Sequence, residues 1–111
     1  MSARKIKYIE GSGNVYQDLG FPDAEERLAK ARLAMRIEKI IETRNLKQAE
    51  AAKILEINQP KISALINGRL SGFSMERLIH FLNLLNQDVE IIVRKKTGRS
   101  TALGRLKVAF S

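Results

Sequence analysis

Apolar residues recur at three- and four-residue spacing over most of the chain from residue 23 onward, the period of helices with one buried face. Pro22 and Asp23 announce the first of these helices. Asp23 stands as its cap, Glu25 and Glu26 fall in its first turn, and its body runs over 24–44. Leu28, Ala31, Met35, Ile37, Ile40 and Ile41 mark its face, with Arg27, Lys30, Arg36, Lys39 and Glu42 largely off it. Asn45 is suited to end it in the left-handed conformation. Two short helices follow, over 48–55 and 59–67, and Gly68 stops the second. After a loop, Ser74 caps a fourth helix over 75–85, with Leu78, Ile79, Leu82 and Leu85 on its buried side.

The period changes at both ends. Residues 88–94 are β-branched and partly alternating, which predicts a strand. One strand in a helical domain leaves its N–H and C=O groups unpaired. It needs a copy of itself, residues 5–10, or a partner's sheet. Residues 5–10 alternate charged and apolar side chains, 11–14 break the pattern, and 15–21 are apolar without a periodic face. The expected division is an N-terminal arm (1–22), a helical domain (23–87), a strand (88–94) and a basic flexible tail (95–111).

Residues 48–67, QAEAAKILEINQPKISALIN, form one unit. Ala51, Leu55, Ile57, Ile62 and Leu65 are its apolar positions, and Ala52 is small where two helices would cross closely. That is the pattern of two short helices meeting steeply across a tight turn. The second opens at Gln59-Pro60, where a missing N–H costs nothing and φ is already helical.

With Gly68 added, this stretch resembles the helix-turn-helix of the lambda-repressor-like, or XRE, regulators, without a gap in spacing. The wider sequence over 11–96, with GSGNVYQDLGFPDAEE before the motif and DVEIIVRKK after it, is similar to XRE-type antitoxins of the HigA kind. The resemblance implies an all-α, lambda-repressor-like DNA-binding domain of four to five helices with a short C-terminal β-strand. It implies a homodimeric repressor of its own operon, reading a palindromic operator in double-stranded DNA. In that setting the strand pairs across the two-fold axis through Val89, Ile91 and Val93. The antitoxin likeness adds a RelE/HigB-like toxin, a ribosome-dependent ribonuclease. Residues 5–10 are placed to add a strand to it, with Ile6, Tyr8, Val15, Tyr16, Leu19 and Phe21 as contacts. Two positions depart from the family pattern: Glu56 occupies a turn where glycine is usual, and Lys47 stands where Ser or Thr often caps.

A recognition helix points its N-terminal residues at base edges in the major groove. Asn58 caps that end, and the Gln59 amide matches adenine's N6 and N7. Lys61 reaches guanine or a phosphate. Ser63 and Ala64 follow, the latter suited to a thymine methyl. Base readout is therefore expected from Gln59, Lys61, Ser63 and Ala64. Phosphate contacts are expected from Gln48 (by the resemblance), Asn58, Asn67 and Arg69. The plain alternative is a solvated polar face of an ordinary bundle helix.

Charge sharpens the choice of partner. Twenty Lys and Arg against twelve Asp and Glu give +8 and a pI near 10.1, a surplus that attracts polyanions. Cysteine is absent and His80 stands alone, so neither a disulfide framework nor a histidine metal cluster is expected. No nucleophile–base pair or phosphate-cradling glycine loop appears, and no enzyme, cofactor or small-molecule substrate is expected. Neither a secretory signal nor a membrane-spanning run is legible, so the expectation is a cytoplasmic protein. Two rivals stay open: a stand-alone XRE regulator without a toxin, and a protein-interaction module that no longer reads DNA.

Overall fold

The computed structural model describes residues 22–96, 98 and 103–111. Among them are four helices: α1 (Pro22–Thr43), α2 (Gln48–Leu55), α3 (Gln59–Ile66) and α4 (Met75–Leu84). Helix α1 packs on α4 and α3, while α2 packs on α3 and α4. Neither short helix can hold its shape alone, since helices under about twelve residues are marginal in water. Their stability is therefore tertiary.

Helix α1 begins at Pro22, so Asp23 lies inside the first turn rather than at the cap. Its carboxylate and that of Glu25 still face the positive end of the helix dipole. The buried side of α1 is Ala29, Leu33, Ala34, Ile37 and Ile41, with Ile40 half-buried. Leu28 and Met35, expected on that face, are 59% and 67% exposed. The apolar stripe is rotated by about one residue from the expected one, because small alanines rather than the larger Leu28 and Met35 sit where the helices approach. At the far end Asn45 turns left-handed (φ 56), and the Leu46 N–H reaches back to the Ile41 carbonyl at 3.0 Å.

The Lys47 side chain does not cap α2, because its ammonium can only donate. Glu50 compensates by accepting the Lys47 backbone N–H at 2.8 Å. Helix α2 ends at Glu56, in the left-handed region at φ 61, ψ 40. There the Ile57 N–H returns to the Ala52 carbonyl at 3.0 Å. Glu56 thus takes, in the turn where glycine is usual, a conformation that disfavours a Cβ-bearing residue. Asn58 caps α3, its side-chain oxygen accepting from the Lys61 N–H at 2.9 Å. Gly68 (φ 75) lies just beyond the C-terminal end of α3. Ser74 caps α4 by accepting from the Arg77 N–H at 3.1 Å.

One core joins all four helices. Ile37, Leu55, Ile62, Leu78, Phe81 and Leu85 are its largest fully buried side chains. Phe73, from the loop before α4, meets Phe81 edge-on with ring centroids 5.9 Å apart. No polar or charged residue is buried among the described residues. A polar contact at the rim closes the bundle. The Arg44 guanidinium at the end of α1 donates to the Leu85 carbonyl at 2.7 Å, satisfying a free C=O at the end of α4.

The expected strand over 88–94 is a correction. Residues 88–96 carry no regular structure, and Ile91, Ile92 and Val93 are 77%, 63% and 91% exposed. A strand exists only with a neighbour to pair with, and among the described residues none lies alongside. Further on, residues 103–111 lie against α1. The Glu25 carboxylate accepts the Leu106 N–H at 3.1 Å and pairs with Arg105 at 3.4 Å. Arg32 donates to the Val108 carbonyl at 3.2 Å, and Val108 is half-buried against the core. The N-terminal arm, residues 1–21, lies outside the described residues.

Two stability measurements follow. Replacing Glu56 by glycine relieves the left-handed strain and is expected to stabilise by about 1 kcal/mol, raising the melting temperature by about 4–8 °C. A fall in melting temperature shows the turn to be unstrained. Ile62→Ala removes the central anchor of α3 and is expected to cost about 2–5 kcal/mol in denaturant titrations.

Candidate nucleic-acid interface

Helix α3 has two chemically distinct sides. Ile62 and Leu65 are fully buried, with Ile66 half-buried against the core. Gln59 and Pro60, its first two residues, are exposed. The exposed end is also the end fixed by the Asn58 cap, so the residues furthest out stand on a capped turn. The first turn of α3 has no acidic residue. No carboxylate of the helix itself therefore opposes an anion approaching the positive end of its dipole.

The structure places the expected base-reading residues unequally. Gln59 is free of intramolecular hydrogen bonds among those described and exposed. Lys61 is half-buried, and its ammonium lies over the Phe73 ring, 5.1 Å from the centroid. It is folded toward the loop before α4 rather than outward. A Cβ at Gly72 would stand 3.2 Å from the Lys61 Nζ, so glycine there leaves room for the folded lysine. Ser63 is half-buried, and Ala64 is half-buried with part of its surface against the core.

The expected phosphate contacts lie on exposed positions around this end and beyond it. Gln48 opens α2 and is exposed. Asn58 has its oxygen engaged in the cap, which leaves its amide N–H groups for a phosphate. Asn67 donates its amide to the Ser63 carbonyl at 2.8 Å and is 3.4 Å from the Ser63 hydroxyl. Arg69 is exposed. Together these positions give an exposed polar outline, with Arg69 the cation among them. Val89, Ile91 and Val93 lie apart in sequence, on the exposed 88–96 segment. The six expected toxin contacts, Ile6, Tyr8, Val15, Tyr16, Leu19 and Phe21, lie outside the described residues.

Phe73 is the site residue that sequence reasoning missed. It packs in the core and also holds Lys61. Its position just before a Ser cap carries no periodic signal; only its being aromatic in a loop hinted at a fixed place. Among the described residues no three His, Cys, Asp or Glu side chains group as a metal site, and no helix is long and apolar enough to cross a membrane.

A family model described as a helix-turn-helix domain matches residues 15–94, which contain α1 to α4 and the exposed 88–94 segment but not residues 103–111. A solved structure named as an XRE family transcriptional regulator is 54% identical, with a TM-score of 0.75, covering 81% of this chain and 100% of its own. No curated protein matches the sequence. A match over most of the protein, together with that identity on a shared fold, establishes that the chain belongs to the helix-turn-helix domain family, in its XRE branch.

Proposed function

We propose that this protein is a sequence-specific DNA-binding transcriptional repressor that acts as a homodimer on a palindromic operator. The observation that carries this reading is the capped, exposed and acid-free N-terminal end of α3, held by a buried apolar face within a family-level helix-turn-helix. Helix α3 enters the major groove with Gln59 leading, its amide paired to an adenine edge. Lys61 exchanges its ring for a guanine or a phosphate. Ser63 and Ala64 follow along the groove. Gln48, the Asn58 amide, Asn67 and Arg69 hold the phosphates on either side and fix register. The net charge of +8 supplies long-range attraction to DNA.

Two copies are brought together through residues 88–94. Val89, Ile91 and Val93 are exposed and β-branched, and their backbone lies unpaired among the described residues. An antiparallel pairing of two such segments satisfies the unpaired groups and covers the apolar side chains. The protein is further proposed to be the antitoxin of its operon, holding a RelE/HigB-like toxin with its N-terminal arm. A stand-alone XRE regulator without a toxin accounts equally for the same interface and the same relative.

Binding to the DNA upstream of the protein's own gene tests the interface. Gln59→Ala is expected to cost about 1–3 kcal/mol and to relax preference at one base position. Arg69→Ala is expected to weaken all sequences alike and to lower the salt slope by about 1. If Gln59→Ala combined with Lys61→Ala leaves affinity and sequence preference unchanged, α3 is not the reading element. The antitoxin reading predicts that the protein co-purifies with the product of a neighbouring gene in its operon, a small basic nuclease-like protein. It predicts that Tyr16→Ala with Phe21→Ala loses that partner while operator binding persists. Retention of operator binding with no such partner leaves the stand-alone regulator.

A further inference from the structure

Little of the protein's net charge sits on its helix-turn-helix. Residues 48–85 carry four Lys and Arg against three Glu, a net charge of +1. Residues 86–111 carry six Lys and Arg against two acidic residues, a net charge of +4. The surplus that draws in a polyanion therefore needs a place on the fold outside α2, α3 and α4. Part of that place is the C-terminal segment, because residues 103–111 are seated on α1. Glu25 accepts the Leu106 N–H and pairs with Arg105, and Arg32 donates to the Val108 carbonyl. The Arg36 guanidinium lies 4.1 Å from the centre of the Phe110 ring. Arg105 and Lys107 are exposed on the seated segment.

Helix α1 continues the same line of charge. Arg32, Arg36, Lys39 and Thr43 recur at four-, three- and four-residue spacing, which sets them along one side of the helix. Beyond the Phe110 contact, Arg36, Lys39, Ile40, Thr43 and Arg44 line a groove of about 300 Å³. No acidic residue lines it, and Glu25 is already paired with Arg105. Glu38 and Glu42 fall off the line by their spacing, as do Arg27 and Lys30. From Glu25 to Arg44 the helix rises about 28 Å. Four of the cations along it are held by contacts within the protein: Arg105 by Glu25, Arg32 by Val108, Arg36 by Phe110 and Arg44 by the Leu85 carbonyl. Cations already held give up less side-chain freedom when an anion arrives. One strand of duplex DNA sets a phosphate about every 3.4 Å along its axis, so a line of this length passes several. Arg44 also stands four residues before Gln48, next to a phosphate contact proposed for α2.

We propose that this side of α1 and the seated C-terminal segment form a second, sequence-blind surface for the phosphate backbone of double-stranded DNA. Arg32, Arg36, Lys39, Arg44, Arg105 and Lys107 are its cations. It rests on the DNA-binding reading above but not on base readout by α3. Residues 103–111, which complete it, lie outside the span that the family model matches.

Lys39 and Lys107 are exposed and make no hydrogen bond or ion pair among those described, so substitution there removes charge without removing a fold contact. The test is binding of the full-length protein to a random-sequence DNA duplex, followed by fluorescence anisotropy over a range of salt. Lys39→Gln with Lys107→Gln is expected to weaken binding and to lower the salt slope by about 2. Arg27→Gln with Lys30→Gln makes an equal charge change off the line, and is expected to leave the slope unchanged. Equal effects from the two pairs overturn the surface in favour of bulk charge. No effect from the first pair, or no binding to the random duplex, overturns it outright. Tighter binding to an RNA duplex of the same length overturns DNA as its partner. Gln59→Ala is expected to leave random-duplex binding unchanged. If operator preference is absent while the random duplex still depends on Lys39 and Lys107, base reading by α3 falls and this surface stands.

Discussion

The whole arrangement depends on burying Ile62 and Leu65. Helix α3 has eight residues and begins with a glutamine and a proline, so it has no independent stability. Two apolar side chains, locked among Ile37, Leu55, Leu78 and Phe81, hold it at a fixed angle to α2 and α1. The base contacts proposed for α3 are all cantilevered from that anchorage. The interior has no buried polar group among the described residues, so the clamp is enforced by shape and hydration rather than by a network. Polar bonds act at the rim, where they finish helix ends: Asn58 for α3, Ser74 and Arg44 for α4, Glu50 for α2.

The surface residues of α3 divide by what they do in the free molecule. Gln59 is uncommitted, whereas Lys61, Asn67 and Asn58 already have partners within the protein. Those partners are weak or partial. A half-buried ammonium over a buried ring is worth about 0.5–2 kcal/mol, no more than a charge-assisted bond to phosphate. The intramolecular contacts therefore narrow the range of side-chain positions without competing strongly with a nucleic acid.

Much of this was legible in the sequence, and the failures have physical causes. The bounds of α2 and the start of α3 follow from local chemistry: Pro60 fixes φ, Asn58 offers a cap, and Leu55 and Ile62 set the period. The left-handed residues Asn45, Glu56 and Gly68 were legible because a helix needs an end and few residues tolerate that geometry. The phase of α1 was not, because its stripe is built partly of alanine. Ala29 and Ala34 matter through how closely they let helices approach, whereas exposed Leu28 and Met35 weigh more on any scale of apolarity. The pattern over 88–94 has the right residue types for a strand, but a strand is a relation between two segments and one sequence supplies only one side of it. Nor did sequence show that residues 103–111 meet α1, since Glu25 and Leu106 are brought together only by tertiary structure. At the interface, exposure of Gln59 followed from periodicity, and the position of Lys61 over Phe73 did not.

The Lys61–Phe73 contact has a consequence for timing. A lysine that rests on a ring beside Gly72 contributes less to first capture of a polyanion than a freely extended one. In the proposed DNA-binding reading, early sliding encounters fall to exposed cations such as Arg69, since phosphate contacts are indifferent to sequence. In the same reading, Lys61 joins only once α3 is seated deeply enough to replace the ring with something better. On that reading the ring separates searching from committing, with a side chain that the core needed in any case.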